Sequence, residues 1–572
     1  MADTSELLSQ FYVKLDGSDA AEDFMRDLTE ITVENSLHLP DVATLVLHDP
    51  HLRWIDADSL APGKSVKISA RHATGEKPIF DGEIVELEPD FHPSTQILTV
   101  RAFDRMHRLS RGQHLRSFQN VTDGDLVKKL AQEVGLKAHS APTSQVYPYV
   151  FQNNQTNLAF LRERAAALGY LLYVQGDTLY FEPPKSDGQP IPLEWGVTLG
   201  EFRPRMTTVG QSGDVTVRGW DPATRQEIVG HAKTGEGAPS VGEKQSGGDL
   251  AQSAFHMDAQ TQGVIGPVRS QAEADARAQA IKNRQTSGFF AAEGVCGGNP
   301  AIIAGSSVDI SAVGVRFSGT YFITSATHVY SAQSGYVTHF SVSGLQPSTL
   351  LSVLQPQHVG GMGGMGAAAA PQHSLGLVIG IVTDNNDPLQ QGRVKVKFPA
   401  LTPDHASNWA RVVAVGAGAD RGIQFLPEVN DEVLVGFEMG DIHHPYVLGG
   451  LWNGQDAPPD PDAVSGGKVM ARSIWTRKGH AIMFDDDDSG GSITIADASA
   501  NMITFDAEQK KLTITSSGDL QISSQGNLTV QAGQNLTLKA PQGQVEIQGM
   551  SGVKAESDGG MVEIKGVLIN LN

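Results

Sequence analysis

The stretch Leu512–Ala540, LTITSSGDLQISSQGNLTVQAGQNLTLKA, decides how the last part of the chain folds. It places two apolar residues either side of one polar residue, turns, and does so again: Leu512/Ile514, Leu520/Ile522, Leu528/Val530, Leu536/Leu538. Working outward, the same pair stands upstream at Ile493/Ile495 and Ile503/Phe505, and downstream at Val545/Ile547 and Val562/Ile564. The steps are 10, 9, 8, 8, 8, 9 and 17 residues, the last spanning about two repeats. Residues two apart share one face of a strand, so each repeat reads as one strand with two inward side chains. Gly518-Asp519, Gly526-Asn527 and Gln534-Asn535 mark the turns. Two buried apolar side chains contribute about 3–6 kcal/mol. Ordering eight residues costs more, at about 1–2 kcal/mol each for the backbone alone. One repeat therefore cannot stand alone and must stack. Eight residues span at most about 26 Å, one wall of a prism. The three walls come either from one chain, at roughly 24 residues per coil, or from three chains wound about one axis. The sequence shows no three-step super-period, which favours three chains. Such a prism has no free sheet edge along its shaft, which suits a needle and a receptor-binding fibre equally.

The 572 residues imply about three to five domains. Hydrophobic residues are 40% and charged residues 19%, a globular composition, and the 62 glycines fit turns in a repeated β structure. A net charge of −21 argues against nucleic acid as a partner, since that affinity comes largely from Lys and Arg. Cys296 is the single cysteine, so no intrachain disulfide and no cysteine zinc site is expected; it reads as a small buried residue. MADTSELLSQ lacks the features of a signal peptide, and no run is long and apolar enough for a membrane helix. Assembly in the cytoplasm, then membership of an extracellular or cytoplasmic particle, is the expected localisation.

From Phe11 to about Phe118 short alternating strands predict an antiparallel barrel or sheet. Two helices follow, one capped at Thr122-Asp123 and stopped at Gly135, one capped at Asn157 and stopped at Gly169. Strands resume between Leu193 and Gln346, interrupted by a Gly/Ser/Gln-rich stretch near 232–263 read as a long loop and an alanine-rich helix at Gln271–Lys282. Residues 355–375 read as a Gly/Ala linker. Five strands between Gly376 and about Pro459 predict a small OB-like barrel. The expected domains are thus 1–192, 193–354, the linker 355–375, 376–460 and 461–572.

Chemistry-bearing motifs are sparse. Asp485-Asp486-Asp487-Asp488 has the donors for a hard cation but no ligand-spaced glutamate, and reads as a solvated turn. His443-His444 reads as a loop between barrel strands. Glu432 and Glu438 are expected on one face of one strand, without the context that paired catalytic carboxylates need. There is no P-loop, GxSxG or HExxH. No catalytic, cofactor-binding or metal-binding residue is assigned.

GLVIGIVTDNNDPLQQGRVKVKFP (376–399), NWARVVAVGAGADRGIQFLPEVNDEVLVGFEMGD (408–441) and HPYVLGGLWNGQDAPP (444–459) resemble the spike OB domain of contractile-tail hub-spike proteins. That family includes valine-glycine repeat protein G (VgrG) of type VI secretion, the phage baseplate hub and spike, and spikes of extracellular contractile injection particles. GHAIMFDDDDSG (479–490) and GNLTVQAGQNLTLKA (526–540) are similar to its shaft segments, and NLAFLRERAAALGYLLYVQGDTLYFEPP (157–184) to its hub. The short turn at Asp387-Pro388 lacks the tyrosine-containing insert of type VI members, so the chain looks closer to phage and extracellular-particle spikes.

The resemblance implies a mainly β homotrimer: two tube-like β-barrels with a few helices, an OB-fold barrel, and a C-terminal triple-stranded intertwined β-helix. It implies a non-enzymatic spike that caps an inner tube at the baseplate, adapts six-fold tube to three-fold spike, and punctures a target envelope to deliver cargo. The alternatives are a type VI VgrG and a trimeric tail-spike adhesin, the latter disfavoured because Phe505 is the only aromatic between 492 and 572. Some phage spikes carry a lysozyme between barrel and shaft; the few dozen residues here leave no room for one. The implied partners are the inner tube protein, baseplate proteins and cargo. With no histidine after His480 and an apolar end at Val567–Leu571, a PAAR-repeat tip protein is expected on the shaft.

Overall fold

The computed structural model describes residues 10–344, 376–399 and 406–570, apart from 73–74, 94, 144, 186–187, 222–223, 225, 264–266, 269, 332–334 and 489. The expected linker 355–375 lies outside the described residues. The chain divides into two compact units, Met1–Asn453 and Gly454–Asn572.

The first unit is organised by the strand Leu28–Ser36. Ile31 and Val33 are fully buried while Glu30 and Glu34 face out, the period-two pattern of a half-buried strand. One edge pairs antiparallel with Val42–His48 and the other with Ser325–Ser331. Through these pairings, strands from both ends of the hub join a single eleven-stranded sheet. Strands from both sides of residues 192/193 thus share one sheet, and among the described residues the later OB-like barrel closes on itself. The physical reason is that a strand has two edges to fill, and recruiting a partner some 290 residues away costs only slightly more loop entropy than recruiting a near one.

Two helices pack beside this sheet around Phe118, Leu126, Leu130, Phe160, Leu161 and Phe181. Asp123–Glu133 begins with a capping box between Thr122 and Asp125. Asn157–Leu168 is capped by Thr156, one residue before the expected Asn157, and ends at Gly169 in the left-handed region. Asn157 is instead buried, its side-chain oxygen accepting from Arg116 and Gln152.

The stretch 232–263 is not the loop its composition suggests. It holds the strand Ser240–Val241, the helix Gly247–Phe255 capped by Ser246, and the strand Gln260–Gly263. Its glycines serve close packing: a Cβ on Gly247 or Gly248 would lie 2.6 Å from Gln211 or 2.4 Å from the Ser212 carbonyl oxygen. The helix expected at Gln271–Lys282 runs Gln271–Ser287.

The barrel closes through Val378–Asp384, Arg393–Lys397, Ala410–Val412, Pro445–Gly450 and Glu432–Phe437. Val382, Val394, Val396, Phe398, Val433, Val435 and Val447 fill its centre. These are the five strands expected from the alternation.

The second unit contains a five-stranded antiparallel meander: Ala471–Trp475, Ala481–Asp485, Ser492–Ala496, Met502–Asp506 and Lys511–Thr515. The first three apolar pairs of the expected shaft, 461–572, lie on strands that pair within the chain. Past Thr515, no strand pairing is found among the described residues.

Candidate functional site

Two surfaces carry the unusual chemistry of this chain: the seat of the barrel on the hub, and the uncovered face of the shaft.

The seat is built on the strand Tyr147–Gln155, which pairs on one edge with His114–Val121. Its Tyr149 and Phe151 side chains pack with Ile442, from the turn between the barrel's last two strands. The Phe151 backbone N–H donates to Nε2 of His443 at 2.8 Å. Nδ1 of His443 lies 2.6 Å from Oδ1 of Asp441, which also accepts the His443 backbone N–H at 2.9 Å. Burial alone would push the Asp441 carboxyl up; hydrogen bonding and charge from His443 outweigh it and hold the group well below the usual carboxylate range. His443 and His444 thus occupy the expected loop, and His443 has a second role that the sequence did not signal, since its partner lies 292 residues away.

The hairpin at Asp387-Pro388 is a keystone of the barrel. The Asp387 side chain is 3% exposed and takes a two-pronged contact from Arg393, at 3.0 Å from Nε and 2.7 Å from a terminal nitrogen. It also accepts the backbone N–H groups of Leu389 and Gln391. The Arg393 contact holds its carboxyl far below the ordinary range, against burial.

The other candidates do not converge. Glu432 accepts from Asn453, while Glu438 leaves the strand at a turn and accepts from the Tyr446 hydroxyl at 3.0 Å. The expectation that both face one way along one strand is thereby corrected: the strand ends at Phe437. In the acidic run, Asp486 is paired with Arg472, and Asp488 with Lys468 at 2.7 Å. Among the described residues no group of three or more His, Cys, Asp or Glu side chains is placed to hold a metal. Cys296 is buried, and burial pushes its thiol up to about 12. A shallow hollow of about 440 Å³ on the outer face of the hub sheet is lined by Glu201, Arg203, Glu293 and His339.

On the shaft meander the register stacks apolar residues in two rows across five strands. One row is Ile474, Ile482, Ile495, Ile503 and Ile514; the other runs Phe484, Ile493, Phe505 and Leu512. The opposite face carries Ser473, Met483, Thr494, Thr504 and Thr513. The apolar face is half-exposed, with Ile474 at 45% and Phe505 at 48%. Covering nine such side chains is worth on the order of 10 kcal/mol per chain, at about 1 kcal/mol for each half-exposed group. Farther on, Leu520, Ile522, Leu528, Val530, Leu536 and Leu538 are all exposed. Their backbone has no ladder partner among the described residues, which leaves both apolar and hydrogen-bonding surface open to a cover.

Residues 378–452 match the type VI secretion system/phage-baseplate injector OB domain. Residues 5–331, more than half of the chain, match the Alg8 N-terminal domain, and the chain belongs to that family. The type VI secretion system spike proteins VgrG2a and VgrG2b of Pseudomonas aeruginosa are each 36% identical over 72 residues, 12% of this chain. That match spans only 9% and 7% of the length of those relatives. The lidded PdpA–VgrG complex of Francisella shares the fold over 90% of this chain and 81% of that one, at 7% identity and a TM-score of 0.53. A type VI secretion component of E. coli, described as similar to T4 bacteriophage tail proteins gp27 and gp5, aligns over 77% of this chain and 99% of that one, at 14% identity and a TM-score of 0.44. Among the described residues no helix is long and apolar enough to cross a membrane.

Proposed function

We propose that the chain is one protomer of a homotrimeric, non-enzymatic spike of a contractile injection system. It would cap the inner tube at the baseplate, join a six-fold tube to a three-fold spike, and puncture a target envelope ahead of a cargo such as a toxin. The observation that carries the reading is the shaft: nine large apolar side chains on one face of a sheet, followed by about fifty residues of strand-like repeats without a strand partner among the described residues. A single-chain solenoid would pair each repeat with one about three repeats on, and no such ladder is found among residues 516–570. Three copies provide the missing partners for one another.

The match of the barrel to an injector OB domain supports the machine, and the spike and hub relatives support a structural rather than catalytic role. A type VI VgrG is compatible with the same observations. The hub contacts an inner tube protein and surrounding baseplate proteins in this reading, and the exposed Val567, Leu568 and Ile569 receive a PAAR-repeat tip protein. No cofactor or nucleic acid is required.

The test is capping. Purified full-length protein mixed with tubes of the inner-tube protein from the same source should bind one tube end as a tapered rod in electron micrographs. Tubes that remain blunt at both ends, with this protein unbound, would overturn the reading.

A further inference from the structure

Three cations stand together on the outside of the barrel, and among the described residues no carboxylate pairs with them. Side chains alternate along the strand Arg393–Lys397. Val394 and Val396 fill the barrel's centre, which turns Arg393, Lys395 and Lys397 outward. On the next strand, Ala410–Val412, Ala410 is buried and Arg411 is exposed. Arg411 stands opposite Arg393 on one side and Tyr446 on the other. Arg393 is neutralised by Asp387. Lys395, Lys397 and Arg411 remain. Asp384, opposite Lys395 in the register, accepts the Asn386 backbone N–H.

Two aromatic rings lie among these cations. Nζ of Lys395 is 5.0 Å, and the Arg393 guanidinium carbon 5.7 Å, from the centre of the Trp409 ring. The Arg411 guanidinium carbon lies 5.5 Å from the centre of the Tyr446 ring. The Tyr446 hydroxyl donates to Glu438 at 3.0 Å, which holds the ring in place. Like charges on neighbouring strands weaken a sheet. The fold does not call for them here, because the core beneath is closed by valines.

We propose that this wall binds an acidic polysaccharide, its anionic groups meeting Lys395, Lys397 and Arg411 and its sugar rings lying against Trp409 and Tyr446. The wall spans the second and third strands of a closed five-stranded barrel, the face on which barrels of this kind hold oligomeric ligands. Lys395 and Lys397, two residues apart on one strand, are set about 7 Å from each other. A row of cations on the convex outside of a barrel suits a chain of repeating units better than a small ligand, which needs enclosure. Single-stranded nucleic acid is the other polymer of this form. It carries a phosphate on every unit, and its affinity grows with the number of cations that replace its counterions. Three unpaired cations on a chain of net charge −21 serve it badly. A glycan of sparser charge, with ring-shaped units that have apolar faces, needs few cations and flat aromatic surface, which is what the wall offers. The inference concerns one barrel and does not depend on three copies assembling.

The experiment is fluorescence anisotropy with purified full-length protein. The probes are end-labelled hyaluronan oligosaccharide (one carboxylate per two sugars), labelled dextran, which is neutral, and an oligothymidylate of similar length. Hyaluronan should bind, dextran should not, and oligothymidylate should bind more weakly than hyaluronan. Hyaluronan binding should weaken several-fold as salt rises from low to physiological strength. Lys395→Gln with Lys397→Gln should weaken it about tenfold. Trp409→Leu should weaken it while leaving the salt dependence unchanged, since a ring is lost and no charge. Arg421→Gln removes an exposed cation of the hairpin that follows the wall and should bind like the unaltered protein. Hydrogen-exchange protection of residues 432–437 verifies that the barrel of each variant is folded. No hyaluronan binding, equal binding of dextran, oligothymidylate binding as tightly as hyaluronan, full binding by the double lysine variant, or an equal loss in Arg421→Gln would each overturn the proposal.

Discussion

The shaft meander and the repeats that follow it use the same apolar-x-apolar pair and come to opposite ends. Between Ala471 and Thr515 the chain reverses at every turn and pairs with itself. Between Gly518 and Asn570 no such pairing is found among the described residues. The difference lies in the connections. In the meander they are built to reverse: Asp497 accepts the N–H groups of Ser499 and Asn501 and the Asn501 side chain, Asp506 accepts from Gln509, and Ala500 and Lys510 adopt positive φ. In the repeats Gly518, Gly526, Gly533 and Gly543 stay out of the left-handed region, and the chain bends without doubling back. Identical strand chemistry thus pairs within its own chain, or is left free for the neighbouring copies of the proposed trimer, according to three to five turn residues.

That contrast can be broken most severely in the repeats. In the proposed trimer Leu528 faces the axis, so Leu528→Asp should abolish assembly outright, read as a fall in mass by light scattering; a stable trimer would refute the inward placement of Leu528. Ile495→Ala, in the meander, removes one apolar group from a sheet that still pairs with itself. It should lower shaft stability by about 2–4 kcal/mol and leave the trimer assembled, measured by denaturant unfolding of the full-length protein.

Next come pH effects in the first unit, where two buried carboxyls respond in opposite senses. Asp387 is depressed by Arg393, so its contribution is present above the unfolded value near 4 and is lost as pH falls below it. Asp387→Ala should cost about 3 kcal/mol by leaving the partly buried Arg393 without its carboxylate, seen as an earlier melting transition for the barrel. Asp104, beneath the hub sheet, is raised by burial and by Asp41 to about 8. Its contribution is greatest below the unfolded value and declines as pH climbs from about 4 to 8. Asp104→Asn should make the hub's melting temperature less dependent on pH across that range, the smallest of these effects.

The sequence made legible whatever is local and periodic. The barrel's five strands, the helix started by Thr122, the stop at Gly169 and the apolar pairs of the shaft follow from side-chain alternation and capping chemistry within a few residues. What escaped depends on distant partners or on backbone geometry. The union of Leu28–Ser36 with Ser325–Ser331 is invisible to alternation, because a strand does not state which neighbour fills its second edge. The Phe151–His443 contact gives no sign in either segment alone. The glycines at 247 and 248 look like flexibility in a one-dimensional reading and prove to be contact points. The meander is the subtlest case. Steps of 10 and 9 residues rather than 8 were visible, but only Asp497, Asn501 and the positive φ at Ala500 explain that the longer steps are reversals.

The most direct measurement is the mass of the purified full-length protein by light scattering, taken with protease resistance of residues 466–572. Three chains of 60.9 kDa, about 183 kDa, with a protected C-terminal fragment, is the result the account predicts. A 60.9 kDa monomer whose C-terminal repeats are digested would contradict it, because the uncovered face and the unpaired repeats would then have no partner of their own kind.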